Sequence, residues 1–268
     1  MKHLLSTLIF VLSMMACGCG SGAQKRTTAT TQTPSSSHKY YTFRTIAELP
    51  HSTSDYTQGF QFADGVFWEG TGGYGHSALK RYEPYGGASQ KEISLPRNYF
   101  GEGITLLGEE LFQLTWRKGK AFVYDKLSFR KLREHNYDGE GWGLTTDGQV
   151  LYMSDGSNIL TVRDPKTFKP LRTIAVTFGG RKVYQLNELE WIDGEIWANV
   201  YMTDTIVRID PTSGNIVGVI DLTGLQSPLD VTYDTDVLNG IAHDPATGRI
   251  WLTGKNWNKI YQVEIIEK

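Results

Sequence analysis

The chain has 268 residues, of which 40% are hydrophobic and 12% aromatic, which is enough apolar material for a packed core and excludes a chain disordered throughout. Its 27 lysines and arginines nearly balance its 29 aspartates and glutamates, and the net charge of -2 lacks the basic excess of nucleic-acid-binding proteins. We therefore expect no nucleic-acid partner. The 29 glycines and 14 tyrosines favour many short strands joined by tight turns over a helical bundle.

Residues 1–19 have the pattern of an export signal. Lys2 precedes an apolar run from Leu4 to Ala16, which is shorter than the roughly 20 residues that a transmembrane helix needs. The only cysteines, Cys17 and Cys19, follow this run, each directly after a small residue, as in bacterial lipoproteins. We predict an exported protein of the cell envelope, in the periplasm or on the outer surface, lipid-anchored through one of these cysteines. An ordinary signal peptide with incidental cysteines is the alternative.

The next segment, residues 20–39, is polar and almost free of large apolar side chains. Such a segment cannot bury enough surface to order itself, so we predict a disordered tether. The folded domain is then expected to span residues 40–268. Since both cysteines precede this domain, it has no disulfide bond and no cysteine metal ligand.

A glycine-containing turn followed by an aromatic or aliphatic strand recurs five times in the domain. The turn glycines are Gly65, Gly108, Gly148, Gly194 and Gly248. A period of about 40 to 50 residues with several strands per unit is typical of propeller blades. The last unit lacks an outer strand, so residues 40–49 are predicted to complete it and close the ring. The sequence thus predicts an all-β, five-bladed β-propeller with four-stranded blades; a β-sandwich or barrel is the alternative.

Polar residues at equivalent positions of the first strand of each unit should converge on one mouth of the central channel. They are Gln58, Glu102, Glu140 with Trp142, Asn187 with Glu188, and Asn239. A second equivalent position adds Trp116, Asp155, Tyr201 and Lys255. A carboxylate, a lysine, amides and aromatic rings in one concavity indicate a small-molecule site. Asp155 also fits a side-chain cap of a β-turn.

Several other catalytic motifs are missing from the sequence. The six histidines have no paired ligand spacing, so a zinc site is not expected. There is no Gly-x-Ser-x-Gly elbow for a serine nucleophile. The glycine-rich segment 70–75 is interpreted as a loop, because no Lys-Ser/Thr pair follows it.

Segments in all five units carry a more specific signal. They read YTQGF (56–60), EGTGGYG (69–75), YFGEGITLLGEELFQLTW (99–116), EGWGLTTDG (140–148), NELEWIDGEIWANVY (187–201) and VLNGIAHDPATGRIWLTGKNW (237–257). Together they closely resemble the plant and bacterial type of glutaminyl cyclase, also called glutaminyl-peptide cyclotransferase. The resemblance implies a five-bladed propeller that converts an N-terminal glutamine of peptides or proteins to pyroglutamate with release of ammonia. It also implies that no zinc takes part.

The resemblance further implies roles for individual residues. Glu102, in the FGEG motif, looks like the catalytic acid and base, assisted by Lys255 and Asn187 near the reacting carbonyl. The residues expected to bind the substrate are Gln58, Phe60, Trp116, Trp142 and Tyr201. Tyr201 stands where we expect tryptophan in many members of the family, a difference that keeps an aromatic ring and is expected to alter the edge of the pocket. Burial between indoles would raise the pKa of Glu102 and a nearby Lys255 would oppose the rise, and the sequence leaves open which effect is larger.

These expectations extend to cofactors and partners. We expect no required cofactor, and a structural calcium ion in the channel would be compatible with that. The expected partners are peptide or protein substrates with N-terminal glutamine and, through the lipid anchor, a membrane; the protein is expected to be a monomer. Two other functions stay open on the residues alone. One is a calcium-dependent, lactonase-like propeller hydrolase with Glu102, Asn187, Asn239 and an aspartate as ligands; the other is a propeller that binds peptides or glycans without chemistry.

Overall fold

The computed structural model describes residues 38–85 and 89–268. The predicted signal peptide and nearly all of the predicted tether, residues 1–37, lie outside the described residues. Within the described part, the regular elements are β-strands apart from one short 3-10 helix, Pro228–Asp230. No helix in this part is long and apolar enough to cross a membrane.

The strands of the described residues are short, as the glycine and tyrosine content predicts. In chain order they are β1 (Lys39–Pro50), β2 (Thr57–Ala63), β3 (Val66–Thr71), β4 (Ala78–Tyr82), β5 (Ser89–Ser94), β6 (Gly101–Leu107), β7 (Glu110–Thr115), β8 (Lys120–Asp125), β9 (Lys131–Asn136), β10 (Leu144–Thr146), β11 (Leu151–Met153), β12 (Ile159–Arg163), β13 (Pro170–Ala175), β14 (Thr177–Phe178), β15 (Arg181–Lys182), β16 (Leu186–Ile192), β17 (Glu195–Val200), β18 (Thr205–Ile209), β19 (Ile216–Asp221), β20 (Leu238–Asp244), β21 (Arg249–Gly254) and β22 (Lys259–Glu267).

The strands form sheets in which most strands pair antiparallel with the next strand along the chain. Three sheets have four strands each, β2 to β5, β6 to β9 and β10 to β13. A larger sheet has the order β16-β17-β18-β19-β1-β22-β21-β20, and β14 with β15 forms a separate hairpin. The protein therefore has an all-β, propeller-like fold.

The N-terminal strand pairs with the C-terminal one, as predicted. β1 runs antiparallel to β22 from Tyr41 opposite Glu267 to Pro50 opposite Lys259. One feature was not predicted: the first residues of β1 also pair in parallel with Gly218 to Ile220 of β19. This second pairing joins two four-stranded groups into one eight-stranded sheet, and it covers the edge of β19 near its centre.

The inner strands follow one another around a common axis. β2 packs beside β6, β6 beside β10, β10 beside β16, β16 beside β20, and β20 beside β2. Glycine makes these close approaches feasible, since a Cβ atom on Gly143 would lie 2.0 Å from the carbonyl oxygen of Asn187. A hydrogen bond also joins β6 to the segment just before β10, from the Gly103 amide to the Trp142 carbonyl at 2.7 Å. Each inner strand is therefore packed between two other inner strands.

The core lies between adjacent sheets. In one cluster, Trp68 and Leu79 of the β2–β5 sheet pack against Leu111 and Phe122 of the β6–β9 sheet. These side chains are at most 2% exposed, and burial of each contributes about 1.5–3 kcal/mol. Packing of these apolar side chains between adjacent sheets thus stabilises the position of the inner strands.

Candidate active site

β-Bulges carry the polar side chains of the site. The pairing register shifts at equivalent points where β2, β6, β16 and β20 meet their neighbouring strands. The residues within these shifts are Gln58, Glu102 with Gly103, Asn187 with Glu188, and Asn239 with Gly240. A bulge bends its strand and redirects a side chain that the regular pleat would turn elsewhere. The repeat therefore supplies one redirected polar residue from each of four inner strands at the same end of the fold.

A pocket of about 240 Å³ opens where these bulges meet. Its lining combines aromatic rings with a few polar groups, the usual composition of a small-molecule site. The lining residues are Tyr56, Gln58, Phe100, Glu102, Trp116, Trp142, Asn187, Tyr201 and Lys255.

Glu102 is the one carboxylate among the described residues that line the pocket. Its side chain is nearly inaccessible, at 3% exposure, and its Oε1 accepts a hydrogen bond from Nε2 of Gln58 at 3.0 Å. Burial raises the pKa of Glu102 well above its ordinary value; Lys255 opposes this rise and Glu140 adds to it. The structure thus answers the question that the sequence leaves open, since burial outweighs the lysine.

Lys255 faces the same pocket and is equally buried, at 3% exposure. Its Nζ lies 4.8 Å from the centre of the Tyr56 ring and 4.7 Å from the centre of the Tyr201 ring, within the range of cation–π attraction. Burial lowers the pKa of Lys255, while Glu102 and Asp236 oppose the decrease. A lysine with a lowered pKa can donate a hydrogen bond and also give up a proton nearer to neutrality.

A single carboxylate at the rim fixes two aromatic walls. Oε2 of Glu140 accepts hydrogen bonds from the indole nitrogens of Trp116 at 2.7 Å and Trp142 at 3.0 Å. Its Oε1 accepts from Arg117, whose guanidinium carbon lies 3.7 Å from the centre of the Trp116 ring. Burial would raise the pKa of Glu140, but these hydrogen bonds outweigh it and the pKa is lowered. The Glu140 carboxylate therefore holds both indole rings in place. The Trp142 ring also packs edge-on against the Tyr201 ring, with the ring centres 5.7 Å apart.

Comparison with known proteins identifies the family. The family described as glutamine cyclotransferase matches residues 13–265. The chain belongs to this family of enzymes. A glutaminyl-peptide cyclotransferase of Arabidopsis thaliana is 40% identical over 233 residues, which cover 85% of this chain and 73% of the relative. The crystal structure of Myxococcus xanthus glutaminyl cyclase superimposes with a TM-score of 0.82 at 36% identity, covering 86% of this chain and 99% of that one.

Most of the side chains predicted for a cyclotransferase site come together in the pocket. Those that line it are Gln58, Glu102, Trp116, Trp142, Asn187, Tyr201 and Lys255. Gln58 donates a hydrogen bond directly to Glu102, a contact that the expected substrate-binding role does not include. The Oδ1 atom of Asn187 is buried without a hydrogen-bond partner among the described residues.

Phe60, although expected to bind the substrate, does not line the pocket. Its ring is 1% exposed and stacks on Phe67 at 4.9 Å, within a core cluster that includes Trp251 and Ile260. Phe60 lies beyond the bulge at Gln58, where β2 has returned to its regular pleat and this side chain points into the core between sheets. The hydrophobic ring is therefore structural.

Sequence reasoning missed two aromatic residues of the pocket, Tyr56 and Phe100. Each lies immediately before an inner strand, Tyr56 before β2 and Phe100 before β6. The rings pack edge-on at 6.1 Å, and the Tyr56 hydroxyl donates to Asp236 at 2.8 Å. The signal was available in the aromatic residue that stands two positions before each of Gln58 and Glu102.

The remaining polar residues of the aligned repeats lie around the pocket without lining it. Asn239 is fully buried behind Gln58 and bonds to it. Glu188 accepts from the backbone amides of Phe60 and Ile241, which ties three inner strands together. Asp155 caps a turn by accepting from the amide of Ser157, as its alternative interpretation predicts.

The pocket is a poor match for a calcium site. Calcium prefers six to eight oxygen ligands, whereas the pocket offers one carboxylate beside an ammonium group. Among the described residues, the group with metal-ligand chemistry is elsewhere, at His51, Asp55 and Glu69. Its atoms are already engaged, since Glu69 accepts from His51, Thr57 and Tyr82, and Asp55 pairs with Lys80. The donor set fits a closed network of ion pairs better than a metal centre.

Proposed function

We propose that the protein converts an N-terminal glutamine of peptides and proteins to pyroglutamate and releases ammonia, with Glu102 as the acid and base and without zinc. The observation that carries the proposal is a buried carboxyl group of raised pKa facing an ammonium group in a pocket with aromatic walls. Membership of the glutamine cyclotransferase family supports the same reaction.

The size of the pocket suits a single terminal residue. Sites for drug-sized ligands have volumes of about 300–1,000 Å³, and this cavity, at about 240 Å³, is smaller. A glutamine side chain folded back on its own amine fits such a space, and the rest of the peptide would extend through the mouth. Aromatic walls hold the folded-back conformer, which removes part of the entropic barrier to ring closure.

The chemistry needs a group that both accepts and donates a proton. The α-amine has a pKa of about 7.7–8.0 and attacks only in its neutral form. As the bond from this nitrogen to the γ-carbonyl carbon forms, Glu102 takes a proton from the nitrogen. Glu102 then gives that proton to the departing amide nitrogen as the carbon–nitrogen bond breaks, so the products are pyroglutamate and ammonia.

Negative charge develops on the γ-carbonyl oxygen during the attack. The ammonium of Lys255 and the side-chain amide of Asn187 both line the pocket and have donors for this oxygen. A single positioned donor of this type contributes about 2.7–4 kcal/mol to transition-state stabilisation. The Trp116 and Trp142 indoles exclude water, which strengthens these interactions.

We further propose that the fold is a five-bladed propeller. Five inner strands succeed one another around the axis, and the eight-stranded sheet divides naturally into two four-stranded blades, β16 to β19 and β20 to β22 with β1. Their fusion through β1 and β19 is then a lateral contact between adjacent blades.

Metal independence, export and oligomeric state complete the proposal. The single carboxylate in the pocket supports a reaction without zinc or calcium. The apolar run and the cysteines Cys17 and Cys19 support an exported protein that is anchored to the cell envelope by lipid. We propose a monomer in solution, which light scattering of the protein without residues 1–37 would test.

The function is tested with a short peptide that begins with glutamine. Mass spectrometry should detect loss of the mass of ammonia from this peptide and no change in a matched peptide that begins with asparagine. An intact glutamine peptide after long incubation would instead support a binding protein without chemistry.

A further inference from the structure

We propose that Asn239 is a positioning residue that determines which oxygen of Glu102 carries the catalytic proton. The inference rests on the proposed cyclase function and concerns a residue outside the pocket lining. It depends on a chain of hydrogen bonds that begins at the backbone carbonyl of Thr57 and ends at the carboxyl group of Glu102.

The first step fixes the orientation of the Asn239 side chain. Nδ2 of Asn239 lies 2.9 Å from the carbonyl oxygen of Thr57. A backbone carbonyl can only accept a hydrogen bond, so the atom of Asn239 that faces it must be the amide nitrogen. Asn239 is 0% exposed, so bulk solvent does not reach its side-chain amide in either orientation.

The second step transfers this orientation to Gln58. The same nitrogen of Asn239 lies 3.2 Å from Oε1 of Gln58, so Gln58 presents its oxygen to Asn239. Its other amide atom, Nε2, then faces Glu102 and donates to Oε1 of the carboxyl group at 3.0 Å. Glu102 therefore meets a donor at this oxygen and no acceptor.

The reversed orientation costs more free energy. Turning Asn239 over would set its oxygen against two other oxygens, those of Thr57 and Gln58, and would leave its donors unpaired. In the observed orientation only the Oδ1 atom of Asn239 lacks a partner among the described residues. A buried polar group without a hydrogen-bond partner costs about 1–3 kcal/mol. The observed orientation, with one unpaired acceptor, is therefore more stable than the reversed orientation, with several unpaired groups.

The consequence concerns the proton on Glu102. An oxygen that accepts a hydrogen bond from Gln58 cannot also point its own proton along that bond. The carbonyl oxygen of a carboxylic acid is also a better acceptor than its hydroxyl oxygen, so the bond from Gln58 favours Oε1 as the carbonyl oxygen and places the proton of protonated Glu102 on Oε2. Oε2 becomes the oxygen that exchanges a proton with the substrate, and Oε1 stays fixed by the chain of amides.

Other charged and titratable groups interact with Glu102 but do not determine which of its oxygens is protonated. Lys255, after β21, opposes the protonated form, and Glu140, before β10, favours it. Three tyrosines that interact with Glu102 have raised pKa values and stay neutral around pH 7; they are Tyr56, Tyr137 and Tyr201. None of these groups donates to or accepts from the carboxyl oxygens of Glu102 in the described structure, whereas Gln58 does.

The test replaces the donor of Asn239 by an acceptor. In Asn239→Asp the new carboxylate attracts the amide nitrogen of Gln58, which turns its oxygen toward Glu102. That oxygen favours the protonated carboxyl group, so the pKa of Glu102 should rise by about one to two units. The acid limb of kcat for a glutamine-initiated peptide should move to higher pH by the same amount. Asn239→Leu removes the donor without adding charge and should move the limb in the same direction by less.

Asn199→Asp provides a matched control for buried charge. Asn199 is 1% exposed and accepts a hydrogen bond from the amide of Gly240 through Oδ1, a role that a carboxylate retains. We expect the acid limb of kcat in the Asn199→Asp variant to coincide with that of the unsubstituted protein. The limb that belongs to the substrate amine is common to all variants. Infrared spectra provide a readout without turnover, because the protonated carboxyl band of Glu102 is identified by its loss in Glu102→Gln.

The outcomes separate this inference from the function on which it rests. If the unsubstituted protein leaves glutamine peptides intact, the cyclase proposal fails, and the infrared titration of Glu102 still tests the role of Asn239. If the protein cyclises the peptide but both Asn239 variants keep its acid limb and infrared titration, the inference is overturned. Equal shifts in Asn239→Asp and Asn199→Asp, with none in Asn239→Leu, would also overturn it, since charge alone would then explain the change.

Discussion

The ammonium of Lys255 lies 4.7 Å from the centre of the Tyr201 ring. Tyrosine stands here at the position where tryptophan was expected, so the ring that contacts the lysine is preserved although its size differs. Attraction between the cation and the ring favours the charged lysine, against the burial that lowers its pKa. The identity of residue 201 should therefore influence how much of Lys255 is protonated during turnover.

Replacing Tyr201 tests this relationship. Tyr201→Leu removes a ring interaction of about 0.5–2 kcal/mol, which corresponds to a fall of about 0.4–1.5 units in the pKa of Lys255. The alkaline limb of the profile of kcat/KM against pH should shift to lower pH by that amount. Tyr201→Phe and Tyr201→Trp keep a ring and should leave the limb in place. A limb that is the same in all three variants would show that the ring does not support the charge.

Glu140 should affect substrate binding more than chemistry. Glu140→Ala removes the acceptor shared by the Trp116 and Trp142 indoles, so both walls lose their anchor. We expect KM to rise about 3- to 10-fold, consistent with hydrogen bonds to a partly exposed charge. We expect little change in kcat above its acid limb, where Glu102 is ionised with or without Glu140. Steady-state kinetics measures both constants, and Glu134→Ala on the exposed strand β9 is the control. An equal loss in kcat would assign Glu140 a part in the reaction itself.

The buried pair of His51 and Glu69 should contribute strongly to stability. Their side chains are 1% and 0% exposed and meet at 3.1 Å. Below pH 6.5, where the raised pKa keeps His51 protonated, Glu69→Gln leaves a buried imidazolium without its counter-ion, so the free energy of unfolding in urea should fall by about 3–5 kcal/mol. Glu264→Gln disrupts an exposed pair with Arg44 and should cost less than about 1 kcal/mol. Similar losses in the two variants would contradict this account.

The same pair predicts a pH window. Burial would lower the pKa of His51, but Glu69 outweighs it and the pKa is raised, so its contribution is complete below 6.5 and is lost as the pH rises through the raised value. Burial would raise the pKa of Glu69, but its partners outweigh this and the pKa is lowered, so its contribution is present above 4.5 and is lost as the pH falls through the lowered value. The stability difference between the unsubstituted protein and Glu69→Gln should be largest between pH 4.5 and 6.5.

Removal of metal ions should leave the reaction unchanged. The pocket contains one carboxylate beside a lysine, which is too few oxygen ligands for calcium and includes no histidine for zinc among the described residues. Dialysis against a chelator should therefore change neither kcat nor KM for a glutamine-initiated peptide. Loss of activity that returns on addition of calcium would favour the lactonase-like alternative.

The sequence predicts much of this site because the fold is built from repeats. Gln58, Asn187 and Asn239 occupy equivalent bulges, and the alignment of the repeats identifies them from the sequence alone. The outer strand formed by residues 40–49 follows from the same count, since the last unit lacks one. Residues at equivalent positions of the repeat are brought to the same end of the fold.

Other features depend on contacts that no repeat records. Phe60 has the aromatic character of a pocket residue, but regular pleating beyond the bulge turns it into the core. The parallel pairing of β1 with β19 joins segments far apart in the chain, and no local pattern predicts it. Likewise, the amide orientation of Gln58 depends on a carbonyl and an asparagine from two different strands.

The most direct test of the account is release of ammonia from a glutamine-initiated peptide by the unsubstituted protein and by Glu102→Gln. Glu190→Gln is the matched control, because Glu190 is also a buried glutamate whose pKa burial raises, but it lies outside the pocket. We predict ammonia and pyroglutamate in equal amounts from the unsubstituted protein and the control. Glu102→Gln should release no ammonia while it keeps the same circular dichroism and melting temperature. Full activity in a folded Glu102→Gln variant would contradict the assignment of Glu102 as the acid and base.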